Sequence, residues 1–122
     1  MRDYTTIYAE ACKAGALAGD AAMPNPMLVT THASPLDDTS PTVRGWLVPE
    51  GVCGFAWVRV RDRSFNAFLR KHGYGRKAYE GGYTIWVSSY SQSMERKLAY
   101  ASAFAEVLQA YSINAWPDSR MD

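Results

Sequence analysis

The sequence has few of the residues and patterns from which catalytic, metal and membrane sites are usually recognised. Its 122 residues include two cysteines and two histidines, well separated along the chain. No H-E-x-x-H, P-loop, G-x-S-x-G or C-x-x-C pattern is present. No apolar run approaches the roughly 20 residues of a membrane span, and residues 1–6 contain no apolar signal core. We therefore expect a soluble protein with no cofactor, metal or membrane partner, and we favour binding over catalysis.

The two cysteines, Cys12 and Cys53, have neither metal-ligand nor redox spacing. Free thiols in a reducing compartment are the expected state, and a disulfide between them is the alternative that the sequence leaves open. An enzymatic alternative would combine Cys53 with His72 and an acid, and it needs the fold to bring these residues together.

The length and composition fit one ordinary globular domain that spans residues 1–122. Hydrophobic residues make up 48% of the chain, which is enough for a sizeable core. The formal net charge of +1 argues against a generic polycation or a charged disordered tail.

The N-terminal half carries one predicted helix and two predicted strands. Residues 5–22 form a stripe of alanines interrupted by two glycines, each of which costs a helix roughly 1 kcal/mol. Such small side chains predict close packing against another element. Residues 27–31 and 43–48 have strand composition, and residues 32–42 are predicted to form a loop rich in turn residues.

The C-terminal half has the clearest periodic patterns. Residues 52–61 alternate between aliphatic and aromatic or basic side chains, which is typical of a half-buried strand. Residues 65–72 predict a short helix. A second strand at residues 82–90 leads into the longest predicted helix, whose apolar stripe runs from Met94 to Tyr111.

The remaining segments complete an α+β fold. Residues 74–81 are predicted as a loop, residues 113–116 as a short edge strand, and residues 118–122 as a frayed end. We expect an antiparallel sheet of three to five strands, with an N-terminal helix, a short middle helix and a long C-terminal helix packed on it.

Charge is concentrated in the middle of the chain. Residues 59–97 hold nine basic and three acidic side chains, whereas both flanking segments are net acidic. A basic region of this kind attracts nucleic acid, nucleotides or acidic protein surfaces. A solvated rim neutralised by nearby acids is the alternative.

The two strong strands predict where aromatic residues join these cations. If Val58 and Val60 face the core, Trp57 faces outward, and the same alternation turns Trp86 outward on the other strand. Tryptophan and arginine on an open face favour protein docking or base stacking. Helices that cover this face, and so bury the aromatic side chains, are the alternative. The expected binding residues are Trp57, Arg59, Arg61, Arg70, Lys71, Arg76, Lys77 and Trp86.

Four segments resemble a family of small bacteriophage and mobile-element proteins with no established activity. They are GVCGFAWV at 51–58, GGYTIWV at 81–87, QSMERK at 92–97 and SRMD at 119–122. The resemblance implies a phage accessory protein expressed in the cytoplasm of a bacterial host. Such proteins often bind host machinery, including defence complexes, but the resemblance carries no functional residue over.

We therefore expect non-enzymatic binding to a host macromolecule through a basic and aromatic surface. The expected partner is a host protein or a protein–nucleic acid complex. Single-stranded nucleic acid, bound by aromatic stacking and arginines, is the alternative.

Overall fold

The computed structural model describes residues 3–23, 53–90 and 93–121, together with the backbone of two strands at 27–32 and 42–48. The elements in chain order are α1 (Tyr4–Ala21), β1 (Met27–His32), β2 (Thr42–Val48), β3 (Gly54–Val60), α2 (Arg63–His72), β4 (Arg76–Lys77), β5 (Tyr83–Trp86), α3 (Met94–Ala110) and β6 (Ala115–Met121). Of the loop predicted at 32–42, His32 and Thr42 are end residues of β1 and β2, and residues 33–41 lie outside the described residues.

The strands form two antiparallel sheets. β1 pairs with β2 in a two-stranded sheet, and the other four strands are ordered β4-β5-β3-β6. The α+β prediction is confirmed: an N-terminal helix, a short middle helix and a long C-terminal helix pack on a four-stranded antiparallel sheet.

β3 lies at the centre of the sheet because its side chains alternate between two environments. Gly54, Ala56, Val58 and Val60 are buried, whereas the residues between them are only partly covered. Tyr83 and Ile85 of β5 also pack against the core. β3 and β5 pair antiparallel, so Val58 lies opposite Ile85 and Trp57 lies opposite Trp86.

The core lies between this buried sheet face and the helices. Large side chains that are fully covered include Phe65 and Leu69 of α2 and Phe104 and Leu108 of α3. At roughly 2–5 kcal/mol for each leucine or phenylalanine truncated to alanine, this cluster supplies much of the stability of the helical layer.

Two glycines let α1 approach its neighbours closely. A Cβ atom on Gly15 would lie 2.9 Å from the Tyr100 ring, and one on Gly19 would lie 2.4 Å from Tyr90. The Tyr90 hydroxyl also donates to Asp20 over 3.0 Å. The close packing predicted from the small residues of this helix is confirmed.

The C-terminal end is a strand and not a frayed tail. β6 pairs along β3 from Ala115, opposite Val60, to Met121, opposite Gly54. Pro117 is tolerated because β6 is an edge strand and needs hydrogen bonds on one side only. Two residues of the predicted 74–81 loop also form the short strand β4.

Candidate functional site

The sheet has an outer face that points away from the buried side chains of β3. The register of β3 with β5 and β6 brings together residues from three strands. We call this set the outer face: Phe55, Trp57, Arg59, Thr84, Trp86, Trp116, Asp118 and Arg120.

An aromatic cluster occupies the middle of the outer face. The Trp57 and Trp86 rings stack with centroids 4.5 Å apart and planes at 25°. Phe55 meets Trp86 edge-on at 6.0 Å. Trp86 remains 37% exposed, whereas Trp57 is half-buried. Trp86 therefore presents an indole surface that the ring beneath it holds in place.

The indole nitrogen of Trp57 is an unusual feature of this cluster. Nε1 is buried and has no hydrogen-bond partner within the described part of the chain. Leaving a buried donor unsatisfied costs roughly 1–3 kcal/mol. A tryptophan at position 57 therefore lowers the free energy of unfolding by part of what its packing contributes.

Arg59 and Arg61 hold the turn between β4 and β5. Arg59 is 13% exposed, donates to the Gly81 carbonyl over 3.4 Å and lies 3.6 Å from the Glu80 carboxylate. Arg61 donates to the carbonyl oxygen of Glu80 over 3.3 Å. The sequence predicted both as partner-binding cations, and the structure gives both a role in positioning the turn.

An open pocket of about 210 Å³ lies beside Trp86. Its lining includes Trp57, Trp86, the exposed residues Arg76, Lys77 and Tyr79, and the acidic residue Glu80. Aromatic walls next to cations suit a planar or anionic group.

A second cationic region surrounds Phe55. The Lys97 ammonium lies 5.3 Å from the centre of the Phe55 ring, and the Arg120 guanidinium lies 5.5 Å from it. Lys97 is 6% exposed and donates to the Gly54 carbonyl, so it is part of the interior. Arg120 is exposed and extends the positive charge of the outer face.

The predicted binding residues do not form a single patch. Arg70 and Lys71 lie in the last turn of α2, where their charge complements the helix dipole. Arg70 lines a cleft between α2 and β4, together with Lys77. These cations were predicted to share one patch because they are close along the chain.

Sequence reasoning missed three residues near these sites: Arg63, Trp116 and Arg120. Trp116 was placed in the predicted edge strand but not in the site, although it lies opposite Arg59. Arg120 was missed because Pro117 and Asp118 read as the end of the structured chain. A signal was available in Trp116 itself, since large aromatic residues usually pack against the fold.

The described residues contain no cluster of three or more His, Cys, Asp or Glu side chains that could hold a metal ion. Cys12 and Cys53 are free thiols. Cys53 pairs with Ser93 through an isolated β-bridge. The His72 ring packs on the Phe68 ring, with the ring centroids 4.6 Å apart.

Cys12 lies in an environment that lowers its reactivity. Burial raises the pKa of its thiol, and Tyr8 and Tyr100 hydrogen-bond to it. Burial and the neighbouring Cys12 also raise the pKa of Tyr100 to about 12. A thiol with a raised pKa carries little thiolate near neutral pH and is a poor nucleophile.

None of the helices among the described residues is long and apolar enough to cross a bilayer. Comparison with protein-family models, with curated proteins and with solved structures finds no match. The resemblance to phage proteins therefore stays a prediction.

Proposed function

We propose that the protein is a non-enzymatic binding protein whose outer face docks on an acidic surface of another protein. The observation that carries the proposal is the exposed Trp86 ring, stacked on Trp57 and flanked by cations. In the setting that the phage resemblance implies, this partner is a host protein, alone or in a complex with nucleic acid.

The stacked pair suits a protein hot spot. Tryptophan and arginine are enriched among the interface residues whose truncation costs roughly 2 kcal/mol or more. Trp57 lies 4.5 Å beneath Trp86 and limits the rotation of its side chain. A preorganised anchor loses less conformational entropy on binding than a free one.

Charge favours an acidic partner. Arg76 and Arg120 are exposed around the aromatic cluster, whereas the acids there are Asp118, opposite Trp57, and Glu80, which lies 3.6 Å from Arg59. Cations at the rim of an interface mainly raise the association rate and make it sensitive to salt. Trp86 would then supply affinity, and the cations would supply orientation.

Single-stranded nucleic acid is the second candidate, favoured by the exposed ring of Trp86 next to Arg76 and Lys77. Base stacking on one aromatic ring is worth roughly 1–3 kcal/mol. One face of Trp86 is already taken by Trp57, and the Trp57 ring is half-buried. The cluster therefore offers one stacking platform, which is few for a nucleic-acid groove.

Affinity capture from bacterial lysate tests the proposal, with the immobilised chain as bait. We expect Trp86→Ala to lose a protein that the wild type retains. Leu17→Ala is the matched control, because Leu17 is an apolar side chain of α1 that is 65% exposed. Equal recovery by wild type and Trp86→Ala contradicts the proposal.

Oligonucleotide titration separates the two candidates. Fluorescence anisotropy with labelled 20-nucleotide single strands is measured at rising salt. Tight binding that weakens steeply with salt and disappears in Trp86→Ala favours nucleic acid. We expect weak binding that Trp86→Ala leaves unchanged.

A further inference from the structure

A second cavity lies on the other side of Lys77, between α2 and the β4–β5 turn. Its volume is about 450 Å³, and its walls include Arg63, Asn66 and Arg70 of α2, Lys77 of β4, and Tyr83 of β5. This volume falls within the range of small-molecule sites. We call it the α2 cleft.

The α2 side of the cleft is one stripe of a helix. Arg63, Asn66 and Arg70 are spaced three and four residues apart, so they share a face. Arg63 and Arg70 are separated by about two turns, or about 10 Å along the axis. Lys77 approaches from the opposite wall, so the three cations frame an extended space.

No carboxylate of the described residues lines the cleft. Within the described part of the chain, the two nearest acids along the sequence are used elsewhere. Asp62 caps α2 by accepting from the Phe65 amide over 2.9 Å. The Glu80 carboxylate lies 3.6 Å from Arg59. The mutual repulsion of the three cations is relieved by an anion between them.

The wall that carries Lys77 is held rigidly. Gly82 has a φ of 74°, and a Cβ atom there would lie 2.7 Å from the Val60 carbonyl oxygen. The Ala78 amide donates to the Gly82 carbonyl over 2.9 Å, which closes the turn. Together with the contacts of Arg59 and Arg61, these contacts fix the backbone of the turn that follows Lys77.

We propose that the α2 cleft binds the polyphosphate group of a small phosphorylated molecule. Two arginines about two helical turns apart, with Lys77 facing them from β4, match two or three linked phosphates, and arginine guanidinium groups bind phosphate oxygens in pairs. The Tyr83 ring and Ala67 provide an apolar wall for the rest of the ligand. Lys77 borders both this cleft and the pocket beside Trp86, but none of the aromatic residues Phe55, Trp57 and Trp86 lines the cleft.

Isothermal titration calorimetry of the full chain tests the proposal with inorganic pyrophosphate and with ATP. Arg70→Gln and Lys77→Gln each remove one charge-assisted hydrogen bond, so we expect each to weaken binding about tenfold or more. Lys71→Gln is the matched control, because it removes the same charge from the same turn of α2 without lining the cleft. We expect it to change the affinity by less than about twofold.

Three results would overturn this assignment. The first is the absence of heat with both pyrophosphate and ATP at millimolar concentration. The second is an equal loss of affinity in Lys71→Gln, which indicates a diffuse charge effect. The third is binding of a single-stranded oligonucleotide without binding of either small molecule. Trp86→Ala should leave pyrophosphate binding unchanged, so failure at this cleft and failure of the outer face are distinguishable.

Discussion

The two faces of the four-stranded sheet are built from the same strands but differ in burial and in the type of residue they carry. On β3 the buried face carries Ala56, Val58 and Val60, each at most 1% exposed, under a layer of helices. The outer face carries Trp57 and Arg59 between them. The buried face carries the apolar side chains that packing of the core requires. The outer face carries aromatic and basic side chains that packing of the core does not require.

The largest effect should come from charging the buried face. Val58→Asp places an unpaired carboxylate where Val58 is 1% exposed. We expect a loss of about 4 kcal/mol or more in the free energy of unfolding, measured by urea denaturation. Trp86→Ala on the outer face should lose less, about 1–2 kcal/mol, because Trp86 is 37% exposed and its main contact is the stacked Trp57 ring. Similar losses at the two positions would remove the contrast between the faces.

A smaller effect tests the helical layer that covers the buried face. Gly19→Ala should gain roughly 1 kcal/mol of helix propensity but lose more through overpacking, because its Cβ would lie 2.4 Å from Tyr90. We expect a net loss of about 1–2 kcal/mol by thermal or urea unfolding. In a Tyr90→Ala background the same change should be neutral or stabilising. An unchanged loss there would show that Tyr90 is not the obstacle.

The smallest effect concerns alkaline pH. The pKa of Tyr100 is raised to about 12 by burial, and the pKa of Cys12 is also raised. Both groups favour folding in their protonated forms, so their contribution is fully present below about pH 9. It is lost as pH rises through 10 to 12. Tyr100→Phe should flatten this part of the curve of unfolding free energy against pH; an unchanged slope would contradict the assignment.

The sequence was informative where periodicity and burial agree. The alternation of residues 52–61 was enough to predict which side chains of β3 are buried, and α1 packs closely, as its small residues predicted. The edge strand predicted at 113–116 exists as β6, but it runs on to Met121. The prediction stopped too early because Pro117 and Asp118 break the strand pattern, and only the pairing with β3 reveals the full length.

The site was less predictable than the fold. Arg59 and Glu80 are 21 positions apart in the sequence. No local sequence pattern therefore predicts that Arg59 positions the turn between β4 and β5. The α2 cleft likewise depends on Lys77 lying across from Arg63 and Arg70, which is a tertiary arrangement. Charge clusters along a chain do not specify which cations share a surface.

The measurement that tests the outer face most directly is hydroxyl-radical footprinting of the chain, free and with the captured partner bound. Trp86 should be labelled in the free chain and lose most of its labelling in the complex. Leu17, which is 65% exposed on α1, should be labelled equally in both. Protection of Leu17 with unchanged labelling of Trp86 would contradict docking through the outer face.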